Sequence, residues 1–236
     1  MEKSPYYQAI GKEVEVFNHT YQQKLPLLLK GPTGTGKSRF IEYMAHSLNK
    51  DLITVSCHEE TSSTDLIGRY IIKGVETVWL DGPLTSAVKK GAILYLDEIA
   101  EARPDVLVAI HSLTDHRREL FIDKLGITVK AHPDFMLVAS FNPGYQKGFK
   151  ELKPSTRQRF IAMSFDYADE KIEKLIITKE TEIKANFIKT ADNIDVTGSF
   201  MVALEDFKIK IPKIVFMKIA ENIKVTFNFN HKPYKK

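Results

Sequence analysis

Residues Gly31-Pro32-Thr33-Gly34-Thr35-Gly36-Lys37-Ser38 constrain this chain more than any other stretch. The pattern G-x-x-x-x-G-K-[ST] carries meaning in one context, after a strand and before a helix. Both flanks supply it. Leu25-Pro26-Leu27-Leu28-Leu29 is a strand-sized apolar run, and Ile41, Met44, Ala45 and Leu48 recur at the i, i+3, i+4, i+7 spacing of an amphipathic helix. In that setting the glycines let backbone wrap a phosphate, and the N–H groups at the helix start favour the anion. Lys37 would bridge the β- and γ-phosphates, and the Ser38 hydroxyl would ligate Mg²⁺.

The rest of the first 180 residues alternates strands with helices. Asp51–Ser56 is β-branched and strand-like, Ala92–Leu96 is a buried strand, and Met136–Ser140 and Ile161–Phe165 are two more. Gly82-Pro83 opens a helix whose last turn holds Lys89 and Lys90 and which stops at Gly91. Pro104 opens another, with Val106, Ala109, Ile110 and Leu113 on one face. Such alternation predicts a mostly parallel sheet covered on both faces. Glu119–Ala131 differs: apolar residues bracket a turn at Asp123–Gly126, which predicts an inserted β-hairpin.

Two acids end the strand Ile93-Leu94-Tyr95-Leu96-Asp97-Glu98. The C-terminal end of a buried parallel strand lies where the phosphate loop also opens. Asp97 would hold the Mg²⁺ shell and Glu98 would polarise the attacking water; taken alone, the pair serves equally well to cap the next helix. Asn142, in Ser140-Phe141-Asn142-Pro143-Gly144, is placed to orient that water and sense the γ-phosphate, although Asn-Pro-Gly is also an ordinary turn signal. Arg157 and Arg159 precede the last strand, either as a solvated basic pair or as an arginine finger for a neighbouring subunit, worth roughly 10³–10⁵ in rate where such fingers operate. The seven histidines and single cysteine show no metal-ligand spacing, and Cys57 reads as a packed side chain. Trp79 reads as packing or a partner anchor, and Arg69-Tyr70 as a loop pair that faces either a ring pore or solvent.

Charge narrows the partners. The net charge is +4, but residues 181–236 hold ten Lys and no Arg against six acids, so of 34 basic and 30 acidic residues the first 180 hold 24 of each. A neutral body has no basic excess with which to displace counterions from nucleic acid, and none is expected as a partner. No apolar run approaches the ~18 residues of a membrane span, so membrane insertion is not expected either. One cysteine and the absence of a secretory pattern at Met1-Glu2-Lys3-Ser4-Pro5 point to the cytoplasm.

Asp97-Glu98, Asn142 and Arg157/Arg159, in this order behind the phosphate loop, resemble an AAA+ ATPase. Within that superfamily, Asp65-Leu66-Ile67-Gly68-Arg69-Tyr70, Glu76-Thr77-Val78-Trp79, Asp81-Gly82-Pro83-Leu84-Thr85 and Tyr95-Leu96-Asp97-Glu98 resemble the MoxR-class branch called CbbQ/NirQ/NorQ/GvpN. So do Leu113-Thr114-Asp115, Ala131-His132-Pro133-Asp134-Phe135, Asn142-Pro143-Gly144-Tyr145-Gln146 and Leu152-Lys153-Pro154-Ser155-Thr156-Arg157-Gln158-Arg159-Phe160. The resemblance covers roughly residues 24–180. It implies a P-loop NTPase α/β three-layer sandwich of sheet order 5-1-4-3-2 and ATP with Mg²⁺ as cofactors. It also implies a ring, usually a hexamer, hydrolysing ATP between subunits, with a von Willebrand factor A domain partner that docks it onto a metalloenzyme client of the nitric oxide reductase or Rubisco type. The hairpin at Glu119–Ala131 would then be the pre-sensor insertion facing the ring axis.

From about Thr181 the texture changes. Arg disappears, six of the fourteen Phe appear, and Phe207, Ile209, Ile211, then Val225, Phe227, Phe229 alternate with the period of strands. Relatives carry a helical lid with an Arg that contacts the γ-phosphate; Gly198-Ser199-Phe200 is the nearest echo here. Residues 1–180 thus read as the ATPase core, and 181–236 as a diverged lid or the product of a shifted reading frame. The leading functional expectation is a chaperone-like ATPase; the alternatives are a nucleic-acid-directed loader and an ATP-binding scaffold without efficient turnover.

Overall fold

The computed structural model describes residues 5–143, 152–169, 171–173, 175–176, 184–189, 194–203 and 222–231. The chain forms two compact units, Met1–Ala168 and Asp169–Lys236.

In the first unit the elements run α1 (Glu13–Gln22), β1 (Leu27–Lys30), α2 (Lys37–Ser47), β2 (Leu52–Ser56), α3 (Ser63–Ile67), β3 (Gly68–Lys73), β4 (Glu76–Asp81), α4 (Pro83–Lys90) and β5 (Ile93–Asp97). They continue through α5 (Pro104–Ile110), β6 (Glu119–Ile122), β7 (Ile127–Lys130), β8 (Met136–Phe141), α6 (Pro154–Arg157) and β9 (Ile161–Ser164). Five strands make one parallel sheet in the order β2-β5-β8-β1-β9. Counted among themselves in chain order, these are the 5-1-4-3-2 strands that the resemblance implies.

Period-two alternation divides the strands between two cores. Leu27, Leu29, Ile93, Tyr95 and Val138 pack with Phe17 of α1 and Phe40, Ile41 and Met44 of α2. Leu28, Leu94, Leu96, Leu137 and Ala139 pack on the other face with Leu66, Leu84, Val88, Val106 and Ile110 of α3, α4 and α5. Because both faces are covered, β5 and β8 are apolar at nearly every position, the pattern that made them legible as buried strands.

Local signals hold. α4 begins at Pro83, carries Lys89 and Lys90 in its last turn, and ends on Gly91 at φ 76°. α3 begins with a capping box in which the Ser62 hydroxyl accepts from the Asp65 N–H while Asp65 accepts from the Ser62 N–H. Asp105 at the start of α5 accepts from the Ser63 N–H at 3.0 Å and hydroxyl at 2.8 Å, joining the two helix starts. The Glu119–Ala131 hairpin is present as β6–β7, with its turn at Asp123–Leu125.

One local expectation is corrected. Arg69 and Tyr70 lie in a strand, β3, which pairs with β4 in a second antiparallel hairpin. Trp79 of β4 packs edge-on against Tyr70, ring centroids 5.2 Å apart, and its indole N–H donates to Asp81 at 2.8 Å. That is the packing role.

In the second unit the described strands β10 (Lys184–Lys189), β11 (Ile194–Ala203) and β12 (Asn222–His231) form an antiparallel sheet in that order. Val225, Phe227 and Phe229 fall in β12, opposite Phe200, Gly198 and Val196, as their alternation predicts. Gly198-Ser199-Phe200 is therefore strand. Phe207, Ile209 and Ile211 lie outside the described residues, as do Gly144, Tyr145 and Gln146.

Candidate functional site

The loop between β1 and α2 is held at its base by the two strands flanking β1. The Gly31 N–H donates to the Phe141 carbonyl of β8 at 3.3 Å, and the Phe165 N–H, just past β9, donates to the Lys30 carbonyl at 2.7 Å. Only glycine fits at position 31: a Cβ there would lie 2.3 Å from the Phe165 carbonyl oxygen. Gly36 caps α2 at φ 82°, a left-handed conformation that turns the chain into the helix. Pro32 accepts through its carbonyl from the Thr35 hydroxyl at 2.9 Å.

Lys37 is buried, and its ammonium donates to the Gly31 and Pro32 carbonyls at 2.8 and 2.7 Å. Two of its three protons are thus occupied and one remains for a ligand. Burial holds its pKa below the ordinary lysine value, with Asp97 and Glu98 pulling in the opposite direction. Thr33, Gly34, Gly36, Lys37, Ser38 and Arg39 line a cavity of about 320 Å³, closed opposite by Asp97, Glu98 and Asn142. Gly31, Pro32 and Thr35 shape the loop from behind.

Asp97 ends β5, and Asn142 follows its sheet neighbour β8. The Asp97 Oδ1 accepts from the Tyr95 hydroxyl at 2.8 Å and from the Ser140 hydroxyl. Glu98 adopts a left-handed backbone at φ 55°, and its N–H donates to the Ser140 Oγ at 2.8 Å. The Asn142 amide donates to Glu98 Oε1 at 2.8 Å and approaches Thr33 Oγ1 at 3.4 Å, while its buried Oδ1 has no partner among the described residues. An amide spanning the second acid and the phosphate loop stands where it could orient a water between them.

Ser38 and Asp97 offer a hydroxyl and a carboxylate to a cation here, beside Glu98 and Thr33 on the same cavity. Among the described residues no cluster of three His, Cys, Asp or Glu side chains could hold a metal alone. This donor set fits Mg²⁺, which binds through one or two protein oxygens and completes its octahedron with waters and phosphate.

Arg157 and Arg159 do not line this cavity. Arg159 donates to the His111 carbonyl at 3.3 Å and lies 3.5 Å from Asp115, a carboxylate also gripped by Arg117 at 2.6 Å. Arg157, in α6, is exposed. Sequence reasoning missed Tyr95 and Ser140, polar tips on strands read as core. It also missed a second cavity of about 340 Å³ lined by Tyr7, Ile10, Gly11, Val16 and Phe165, on the side of the loop base where Phe165 abuts Gly31. The Tyr167 hydroxyl further donates to the Thr33 carbonyl at 3.2 Å.

Known proteins fit this geometry. Residues 26–160 match the AAA domain, dynein-related subfamily. CbbQ of Hydrogenophilus thermoluteolus is 55% identical over 181 residues, covering 77% of this chain and 68% of CbbQ. NorQ of Paracoccus denitrificans is 57% identical over 178 residues (75% of this chain, 66% of NorQ), and NirQ of Stutzerimonas stutzeri, named a denitrification regulatory protein, is 52% identical over 182 residues (77% and 66%). The chain therefore spans about two thirds of the length of these relatives. The crystal structure of a candidate ATPase from Cytophaga hutchinsonii superposes with a TM-score of 0.58 at 20% identity, over 72% of this chain and 50% of that one, a likeness of fold. A sheet of the expected order, a domain match over more than half of the chain and identities above one half lead to one conclusion: the chain belongs to the AAA+ ATPases, in the CbbQ/NirQ/NorQ family.

Proposed function

We propose that this chain is an ATP-hydrolysing, chaperone-like motor that remodels or activates a metalloenzyme. The observation that carries the reading is the cavity that Lys37, with two of its three protons given to the loop, lines together with Asp97, Glu98 and Asn142. In this reading the loop backbone and Lys37 bind the triphosphate, and Ser38 and Asp97 hold Mg²⁺, which neutralises charge on the phosphates when bound. Glu98 takes a proton from the attacking water, and Asn142 orients that water. The cavity of Tyr7 and Phe165 receives the nucleobase, its size and aromatic lining suiting a flat ring.

Arg157 and Arg159 serve the site of a second copy in a cytoplasmic ring, a hexamer in this proposal. Partners are a von Willebrand factor A domain protein and a client of the nitric oxide reductase or Rubisco type. Denitrification is favoured by the name of the NirQ relative. Neutral charge over residues 1–180 counts against nucleic acid as client. A second reading, a nucleotide-bound scaffold with little turnover, draws support from residues 160–236, which contain no Arg with which a lid could reach the γ-phosphate. In either case residues 181–236 are a diverged or frame-shifted replacement for the family lid.

Phosphate release and binding of a fluorescent ATP analogue, measured on wild type and Glu98→Gln, test the proposal. The motor reading expects steady turnover in wild type and bound, unhydrolysed ATP in the variant. A wild-type chain that binds ATP without turnover supports the scaffold, and one that binds no adenine nucleotide overturns both.

A further inference from the structure

Two hydroxyls that the catalytic reading does not use stand between its ligands. Tyr95 is almost completely buried, at 1% exposure, in a strand whose other residues before Asp97 are Ile and Leu, and Ser140 is fully buried in β8. A tyrosine hydroxyl has one proton, and here it is donated to Asp97 Oδ1 at 2.8 Å. The Ser38 Oγ lies 3.3 Å from the same tyrosine oxygen, so in that contact Ser38 must be the donor. Its proton is then turned toward Tyr95, and its lone pairs are free to face the loop cavity.

Ser140 repeats the logic on the other side. Its single proton goes to Asp97 Oδ1, so its oxygen is the acceptor for the Glu98 N–H at 2.8 Å. One side chain thereby joins the carboxylate of the first acid to the backbone of the second, at the left-handed turn that aims Glu98 into the cavity. Both donors converge on Oδ1, leaving Oδ2 without a protein donor among the described hydrogen bonds.

We infer that Tyr95 and Ser140 are positioning residues: Tyr95 orients the Ser38 hydroxyl and the Asp97 carboxylate as a matched pair of Mg²⁺ donors, and Ser140 locks Asp97 to Glu98. The inference rests on the nucleotide reading above and deepens it. Outer partners of metal ligands are typically worth about 10- to 100-fold in metal affinity or activity, which sets the expected effect.

The test compares wild type with Tyr95→Phe, Ser140→Ala and Ser140→Thr, using a fluescent ADP analogue titrated without Mg²⁺ and then with increasing Mg²⁺, alongside phosphate release and melting temperature. Tyr95→Phe keeps the buried ring and removes only the hydroxyl. It is expected to leave Mg²⁺-free nucleotide affinity unchanged while raising the Mg²⁺ needed for half-maximal effect about tenfold. Ser140→Ala is expected to do the same and to lower kcat further, with Ser140→Thr restoring both. A merely structural role would weaken binding with and without Mg²⁺ together and lower the melting temperature in step, which overturns the inference. So does a wild-type Mg²⁺ midpoint in Tyr95→Phe together with wild-type kcat in Ser140→Ala. Failure of the nucleotide reading looks different: wild type itself shows no affinity for the ADP analogue in either condition.

Discussion

Replacing Lys37 by Met tests the nucleotide reading at the point where its magnitude can be worked out. Met preserves the buried stem and removes the ammonium, whose two donations to Gly31 and Pro32 only shape the loop. The third proton is the one a phosphate would meet. A hydrogen bond involving an ionised group contributes about 1.5–3 kcal/mol, so at about 1.4 kcal/mol per decade nucleotide affinity should fall roughly 10- to 100-fold. Thermal shift converts this into a visible contrast. Nucleotide at a hundred times the wild-type Kd stabilises by about 2.7 kcal/mol, or roughly 5–10 °C for a unit of this size. Weakened a hundredfold, the same concentration contributes only about 0.4 kcal/mol, about 1 °C. Direct titration with a fluorescent analogue should give the same ratio. Full wild-type stabilisation in Lys37→Met would show that the ammonium does not face the ligand, and the reading would fail.

Gly31→Ala should destabilise by about 1–3 kcal/mol in a denaturant melt, because the new Cβ meets backbone of Phe165 that cannot retreat without breaking its bond to Lys30; an unchanged midpoint would contradict the packing at the loop base. Arg159→Ala should lower both melting temperature and turnover, since it loses the His111 carbonyl and Asp115, whereas Arg157→Ala should lower turnover alone; equal melting losses would count against this division. Asp105 is held at a pKa of about 2, chiefly by the Ser63 N–H, against an ordinary 3.8. A depressed acid stabilises the fold above its unfolded pKa and loses that contribution as pH falls through the folded one. Melting temperature should therefore drop between about pH 4 and 2, and less steeply in Asp105→Asn, as differential scanning fluorimetry across that range would record.

What the sequence disclosed follows from how strictly each feature is constrained. That the glycine loop and the two acids at the end of β5 would share one cavity was legible because the pattern of glycines, a lysine and a strand end is a set of residue types in plain view. The strand order was not written in the strands: β1, β5 and β8 are all buried runs, and nothing in a buried run names its neighbour. That order came only with the family resemblance. The β3–β4 hairpin escaped because Arg69, Tyr70, Ile72 and Lys73 are all exposed, so no apolar alternation marks the strand. Tyr95 and Ser140 escaped for the opposite reason. Each sits in an apolar strand, and a hydroxyl there looks like tolerated core until the neighbouring strand's register brings it to Asp97.

The close seating of Phe165 against Gly31 makes the loop answerable to events well outside its own cavity. Arg157 and Arg159 lead directly into β9, which is bonded along its length to β1, and the residue that follows β9 is the one wedged beneath the first glycine. A displacement of those arginines passes straight into a strand that is bonded to β1 along its length. It would arrive at the glycine loop as a shift of the floor on which that loop rests, so that the edge bearing Arg157 and Arg159 and the proposed nucleotide seat answer to one another mechanically.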